Sequence, residues 1–141
     1  MATGKQSAVV VVGGGVMGSA IASGLEADGW TNITVIEPSE AQRTELNAHP
    51  GLHAVESIAE IDGEPAVIAI VVKPNVAETV CRQVTPLIGA QALIMSMCAG
   101  VTLDTLAKNL PQGAAVVRVM PNTPARVRAG MSALSPNDQV S

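Results

Sequence analysis

The chain has almost no aromatic residues. Among its 141 residues one is tryptophan, Trp30, and neither phenylalanine nor tyrosine occurs. That shortage removes the platforms on which single-stranded nucleic acids stack their bases. Charge is scarce as well: 14% of the residues are Asp, Glu, Lys or Arg, and the formal net charge is −4. The few basic residues are spread along the chain with no basic face or tail to meet a phosphate backbone, so a nucleic-acid partner is not expected.

Long apolar runs are missing too. The longest, such as 66–72, fall far short of the roughly 20 residues that cross a bilayer. One lysine and no sustained apolar region precede the first glycine cluster, so no secretory signal is expected either. The expectation is a cytoplasmic protein without a membrane partner. Cysteine is limited to Cys81 and Cys98, which form no CxxC or zinc-type spacing and are expected to stay reduced as small core residues. His49 and His53 stand four apart, but Pro50 and Gly51 between them break the helix that would align two metal ligands. No Ser/His/Asp set stands in motif context, so hydrolytic chemistry has no foothold.

What the chain does have is aliphatic bulk. It is 48% hydrophobic, which at this length supports one domain with a real core. Apolar runs at 8–12, 33–36, 52–55, 66–72, 92–97 and 115–120 are predicted strands. They are rich in β-branched residues and lack polar alternation, which fits a parallel sheet covered on both faces and not a meander with one wet side. Helices are predicted between them at 16–28, 39–48, 75–87 and 102–110. Asn75 with Glu78 has the spacing of a capping box, and Thr102 is placed as an N-cap. The expected architecture is a Rossmann-type, doubly wound α/β fold of about six mainly parallel strands with helices on both faces.

The first strand runs straight into Gly13, Gly15 and Gly18, a GxGxxG pattern at the mouth of a helix. In that context the first glycine permits a tight turn, the second lets a pyrophosphate approach the main chain, and the third lets the helix pack close to the strand. The helix N-terminus then offers free N–H donors and partial positive charge. An acidic residue roughly 20 positions further on would grip the adenosine ribose, and Glu37 stands there. Its carboxylate can accept from both ribose hydroxyls and repels a 2′-phosphate. Ser39 and Arg43 follow closely, and an arginine here can instead receive that phosphate, so the residues leave NADH and NADPH both open.

Three further stretches end strands: VVKPN at 71–75, SMCAGV at 96–101 and VMPNTPA at 119–125. Ligands of open α/β sheets collect outside the carboxyl ends of strands. With these in series the sequence resembles the N-terminal half of pyrroline-5-carboxylate reductase, and the likeness runs through nearly the whole chain. The resemblance implies hydride donation from NADPH or NADH to the C=N carbon of a cyclic imino acid, giving L-proline. It implies that Gly13, Gly14, Gly15, Val16, Met17 and Gly18 hold the pyrophosphate and that Glu37 and Ser39 meet the ribose. It places Val71, Val72, Lys73 and Pro74 along the cofactor and Met97, Cys98 and Ala99 near its nicotinamide end. Ser57 stands where the family often has an asparagine that touches the cofactor.

The bland alternatives are a solvated strand-end Lys73, core packing for Met17, and a rigid turn at Pro121 and Pro124 in which Asn122 and Thr123 serve their own backbone. The resemblance also implies a helical domain, beyond this chain, that forms a homo-oligomer and carries the imino-acid pocket. Residues 1–134 are therefore expected to form the dinucleotide-binding domain and 135–141 to begin a linker. No catalytic residue is assigned, and the chain alone is expected to bind cofactor without turnover. A non-catalytic dinucleotide-binding regulatory module and a hydroxyacid dehydrogenase of the same superfamily share the glycine fingerprint; the PNTP turn at 121–124 argues against the dehydrogenase.

Overall fold

The computed structural model describes residues 6–90, 92–98, 100–121 and 132–136. Its elements are β1 (Val9–Val12), α1 (Val16–Ala27), β2 (Ile33–Ile36), α2 (Glu40–Asn47), β3 (Leu52–Val55), β4 (Val67–Ile70), α3 (Ala77–Val84), β5 (Leu93–Ser96), α4 (Leu103–Asn109), β6 (Ala115–Pro121) and β7 (Ser132–Pro136). The strands lie in one sheet in the order β3-β2-β1-β4-β5-β6-β7. The first six run parallel, as expected from their unalternated apolar runs.

β7 adds a seventh, antiparallel to β6, with Val117 opposite Pro136 and Pro121 opposite Ser132. It covers the main-chain groups that β6 would otherwise expose at an edge. The strand runs through Pro136, past the boundary expected at residue 134.

Side chains alternate across the sheet with period two, and each face has its own core. Val10, Val12, Ile68, Ile70 and Ile94 meet α3 and α4 through Val80, Cys81, Val84 and Leu106. Val9, Val11, Ile33, Val35 and Leu52 meet α1 and α2 through Ala22 and Leu46. β1, buried along its whole length, feeds both.

Helix starts follow local chemistry. Ser39 caps α2, its hydroxyl accepting from Gln42 N at 3.4 Å, and Thr102 caps α4, accepting from Thr105 N at 3.1 Å. The capping box at Asn75 does not form. Pro74 instead opens a 3₁₀ turn, Pro74–Val76, and α3 begins at Ala77 with no side-chain cap. Proline suits a first turn because its fixed φ is already helical and its missing N–H is not needed there. The far end of the expected helix is likewise a separate turn, Thr85–Leu87, built on Pro86.

His49 ties two segments together: its Nδ1 lies 3.3 Å from Glu26 Oε1, while Gly51 N donates to Glu26 Oε2 at 2.7 Å, joining α1 to the turn before β3. His53 is exposed on β3.

Both cysteines are free and buried. Burial pushes the Cys81 thiol up to about 11, with Cys98 and Glu78 adding to the rise and Arg82 opposing it. A raised folded-state value means the native state keeps its proton while the unfolded thiol loses it. The thiol's contribution to stability is therefore full below about pH 9 and is lost as pH rises toward 11. Urea unfolding at pH 8 and pH 10 should show this loss in the unmodified chain and a smaller one in Cys81→Ala; identical pH slopes would contradict it. In the same assay Ile68→Ala, which empties a fully buried position on the central strand β4, should cost about 2–5 kcal/mol.

Candidate dinucleotide site

β1 delivers the chain to Gly13, whose φ of +109° lies where L side chains rarely go. A Cβ at Gly13 would strike the carbonyl of Val71 at the end of β4, and one at Gly18 would strike the carbonyl of Gly13. Strand, turn and helix thus meet main chain to main chain. Gly15 is different in kind: its φ of −68° and ψ of −163° suit any residue, and nothing lies within 4 Å of where its Cβ would stand. Packing does not demand a glycine there, so the space suits a ligand that must come close to the backbone.

α1 starts directly behind this gap. Its N-cap, Gly15, supplies no side-chain cap, and its first turn holds no acidic residue. The N–H groups of Val16, Met17 and Gly18 have no acceptor within the helix and carry its positive end. Gly14 and Gly18 are buried while Gly15 and Val16 are exposed, so the loop is anchored on one side and open on the other. This arrangement fits a pyrophosphate.

Glu37 follows β2 and turns back onto the same loop. Its Oε1 accepts from Gly14 N and its Oε2 from Ser39 N, each at 2.8 Å. Arg43 lies alongside but is turned onto the strand end: one guanidinium nitrogen donates to Glu37 O at 2.9 Å and Pro38 O at 2.7 Å, and the other is 4.0 Å from Glu56 Oε2. A cleft of about 580 Å³ opens at the carboxyl ends of the strands, lined by Val12, Gly13, Ile36, Pro38, Ser57 and Val72 among others. A second hollow of about 330 Å³ flanks the other side of the loop, at Gly14, Gly15, Val16, Ser19 and Gln42.

The structure therefore brings together Gly13 to Gly18, Glu37 and Ser39, with Ser57 and Val72 on the cleft wall. Val71 is half-buried and packs into the core on the α1 side. Lys73 and Pro74 are exposed where β4 ends. Met97 follows β5, its N–H bonded to Ile70 O at 2.9 Å. Cys98 points inward: its side chain is in the core, with Sγ 3.7 Å from Ile70 O, which leaves only its main chain for a ligand. Ala99, Asn122, Thr123 and Pro124 lie outside the described residues. Sequence reasoning missed Ile58, Val76 and Val80, which also line the cleft, and Ser19, whose hydroxyl donates to Gly14 O at 2.6 Å. Apolar residues after strands and a serine inside a helix carry no signal of their own.

Residues 8–100 match the family described as NADP oxidoreductase coenzyme F420-dependent. The chain belongs to that family. It is also similar to pyrroline-5-carboxylate reductase of Escherichia coli K12, at 39% identity over 129 residues, covering 89% of this chain and 48% of that protein. The likeness to the enzyme of Pasteurella multocida is 38% over 137 residues, covering 92% and 49%. Among solved structures, pyrroline-5-carboxylate reductase from Coxiella burnetii superposes with a TM-score of 0.89 at 30% identity, over 96% of this chain and 52% of that one. The Plasmodium falciparum enzyme, solved with NADP bound, gives 0.82 at 26%, over 99% and 51%. The chain thus spans about half the length of the curated relatives it matches, and the resemblance read from VKP, CAGVTL and MPNTPA is borne out.

The two glycine environments predict opposite outcomes for the same small change. Gly18→Ala should push α1 off β1 and clearly lower the free energy of unfolding in urea, whereas Gly15→Ala should leave that free energy within about 0.5 kcal/mol. Equal stability of the two variants would contradict the contact between Gly18 and the Gly13 carbonyl.

Proposed function

We propose that this chain is the dinucleotide-binding portion of a pyrroline-5-carboxylate reductase, an NAD(P)H-dependent enzyme that reduces a small cyclic imino acid to L-proline. The observation that carries the reading is the vacant approach at Gly15, set against the uncapped start of α1, in a chain similar along most of its length to reductases of that name. When bound, the cofactor supplies a hydride. The chain's own residues bind and orient it. The N–H groups of Gly15, Val16, Met17 and Gly18 face the pyrophosphate, those of Gly13 and Gly14 being bonded to Ile36 O and Glu37 Oε1, and Glu37 with Ser39 stands at the adenosine ribose. The apolar wall of Ile36, Pro38, Ile58, Val72, Val76 and Val80 takes the adenine. Val71 and Lys73 with Pro74 border the path toward the nicotinamide, near the main chain of Met97 and Cys98.

For the choice of cofactor we favour NADH. Glu37 is held at the ribose end by two main-chain donors, and the side chain of Arg43, 19% exposed, spends its donors on nearby carbonyls and on Glu56. A 2′-phosphate would meet a fixed carboxylate without a free guanidinium to offset it.

Titration of the 141-residue chain with NADH and NADPH, followed by nucleotide fluorescence, tests both parts. NADH should bind at least as well as NADPH. Glu37→Ser should move the ratio toward NADPH by about tenfold, corresponding to a like-charge clash of roughly 1–2 kcal/mol. Gly15→Val should abolish binding of either while the far-UV spectrum stays native. Unchanged affinity in a folded Gly15→Val chain would sink the site, and a strong NADPH preference in the unmodified chain would sink the cofactor choice alone.

A further inference from the structure

We infer that Gln42 is a positioning residue for the glycine loop, and that with it in place Glu37 keeps one free acceptor position for the ribose. The inference rests on the dinucleotide reading above.

Gln42 is the third residue of α2, three beyond its N-cap Ser39. At that position a glutamine ordinarily reaches back to the N–H of the capping residue. Here that N–H is already taken, because Ser39 N donates to Glu37 Oε2 at 2.8 Å. The carboxamide reaches across to the glycine loop instead, and with the amide assigned nitrogen-first Nε2 donates to Gly14 O at 2.9 Å and to Glu37 Oε1 at 3.2 Å. Both partners are acceptors, so only the NH₂ end of the amide can face them.

Two consequences follow. The carbonyl of Gly14 is now held from two sides, by Gln42 and by the Ser19 hydroxyl at 2.6 Å. In a planar trans peptide the following N–H points opposite to its carbonyl, so this grip turns the Gly15 N–H away from both side chains. It fixes the direction of a main-chain donor at the very position where the loop is open.

The second consequence is a matter of counting. A carboxylate offers about four lone-pair positions, two on each oxygen. Oε1 of Glu37 accepts from Gly14 N and from Gln42, and Oε2 accepts from Ser39 N. That leaves a single position, on Oε2. The two-hydroxyl grip expected from the sequence is reduced to one.

Gln42 is exposed on α2, so its replacement should not unfold the chain. Gln42→Ala removes both donors, and Gln42→Glu keeps the size while setting an acceptor against two acceptors. Without any nucleotide, amide hydrogen exchange at Gly14 should rise several-fold in both. The Kd for NADH should rise about fivefold in Gln42→Ala, the size of one net hydrogen bond, and further in Gln42→Glu. NADH analogues lacking either the 2′- or the 3′-hydroxyl of the adenosine ribose complete the test: loss of one should weaken binding markedly and loss of the other little.

Unchanged Gly14 exchange, or faster exchange with unchanged affinity, would overturn the positioning role. Equal losses for the two deoxy analogues would overturn the single acceptor. If the unmodified chain bound neither dinucleotide, the reading of the site would fail and the inference with it, an outcome distinct from normal binding that Gln42 does not affect.

Discussion

The carbonyl of Gly13 occupies the place where a side chain at Gly18 would begin, and the geometry of the carboxyl edge of the sheet depends on that contact. Because Gly18 has no Cβ, α1 can descend onto the end of β1 until the two main chains touch. Because Gly13 adopts a positive φ, its own neighbour can be the carbonyl of Val71. The end of β1, the adjoining start of α1 and the distant end of β4 are locked without the rotamer freedom that side-chain packing would leave. The start of α1 therefore sits between β1 and β4, where the strand order reverses and where open α/β sheets bind their ligands.

Around this contact the polar groups form a collar. Ser19 from α1, Glu37 from the end of β2, and Gln42 and Arg43 from α2 direct their hydrogen bonds at main-chain atoms of the glycine loop or of the β2–α2 turn. In a chain with so few charged residues, two of them, Glu37 and Arg43, meet at the Pro38–Ser39 peptide group, one on its N–H and the other on its carbonyl. The effect is to hold still a loop whose composition alone would leave it mobile.

The parallel strands were legible in the sequence because they are short, mainly apolar runs, most of them rich in β-branched residues, and β1 is the clearest case: VVVV followed by glycines has few other solutions. The glycine turn was legible because GxGxxG directly after a strand marks a strand-turn-helix junction, and Glu37 was legible as the acidic residue directly after the second strand. The start of α3 was not, since Asn75 with Glu78 has the spacing of a cap while Pro74 locally dictates a 3₁₀ turn. β7 was seen only as a strand end, because ALSP is short and its antiparallel pairing with β6 is a long-range contact. The direction of Gln42 was equally hidden. It depends on whether Glu37 has claimed the Ser39 N–H, and that competition exists only once β2 and α2 are in place.

Trp30 lies in the turn between α1 and β2, its main-chain N–H donating to Leu25 O at 3.0 Å, and packs against the core formed with α1 and α2. With no other aromatic residue in the chain, its ultraviolet emission reports on one side of the sheet and is blind to the other. Far-UV dichroism sees helices on both sides. Comparing the two signals during denaturation asks directly whether the two aliphatic layers let go together or in turn, a question that a protein with aromatics in both layers could not pose so cleanly.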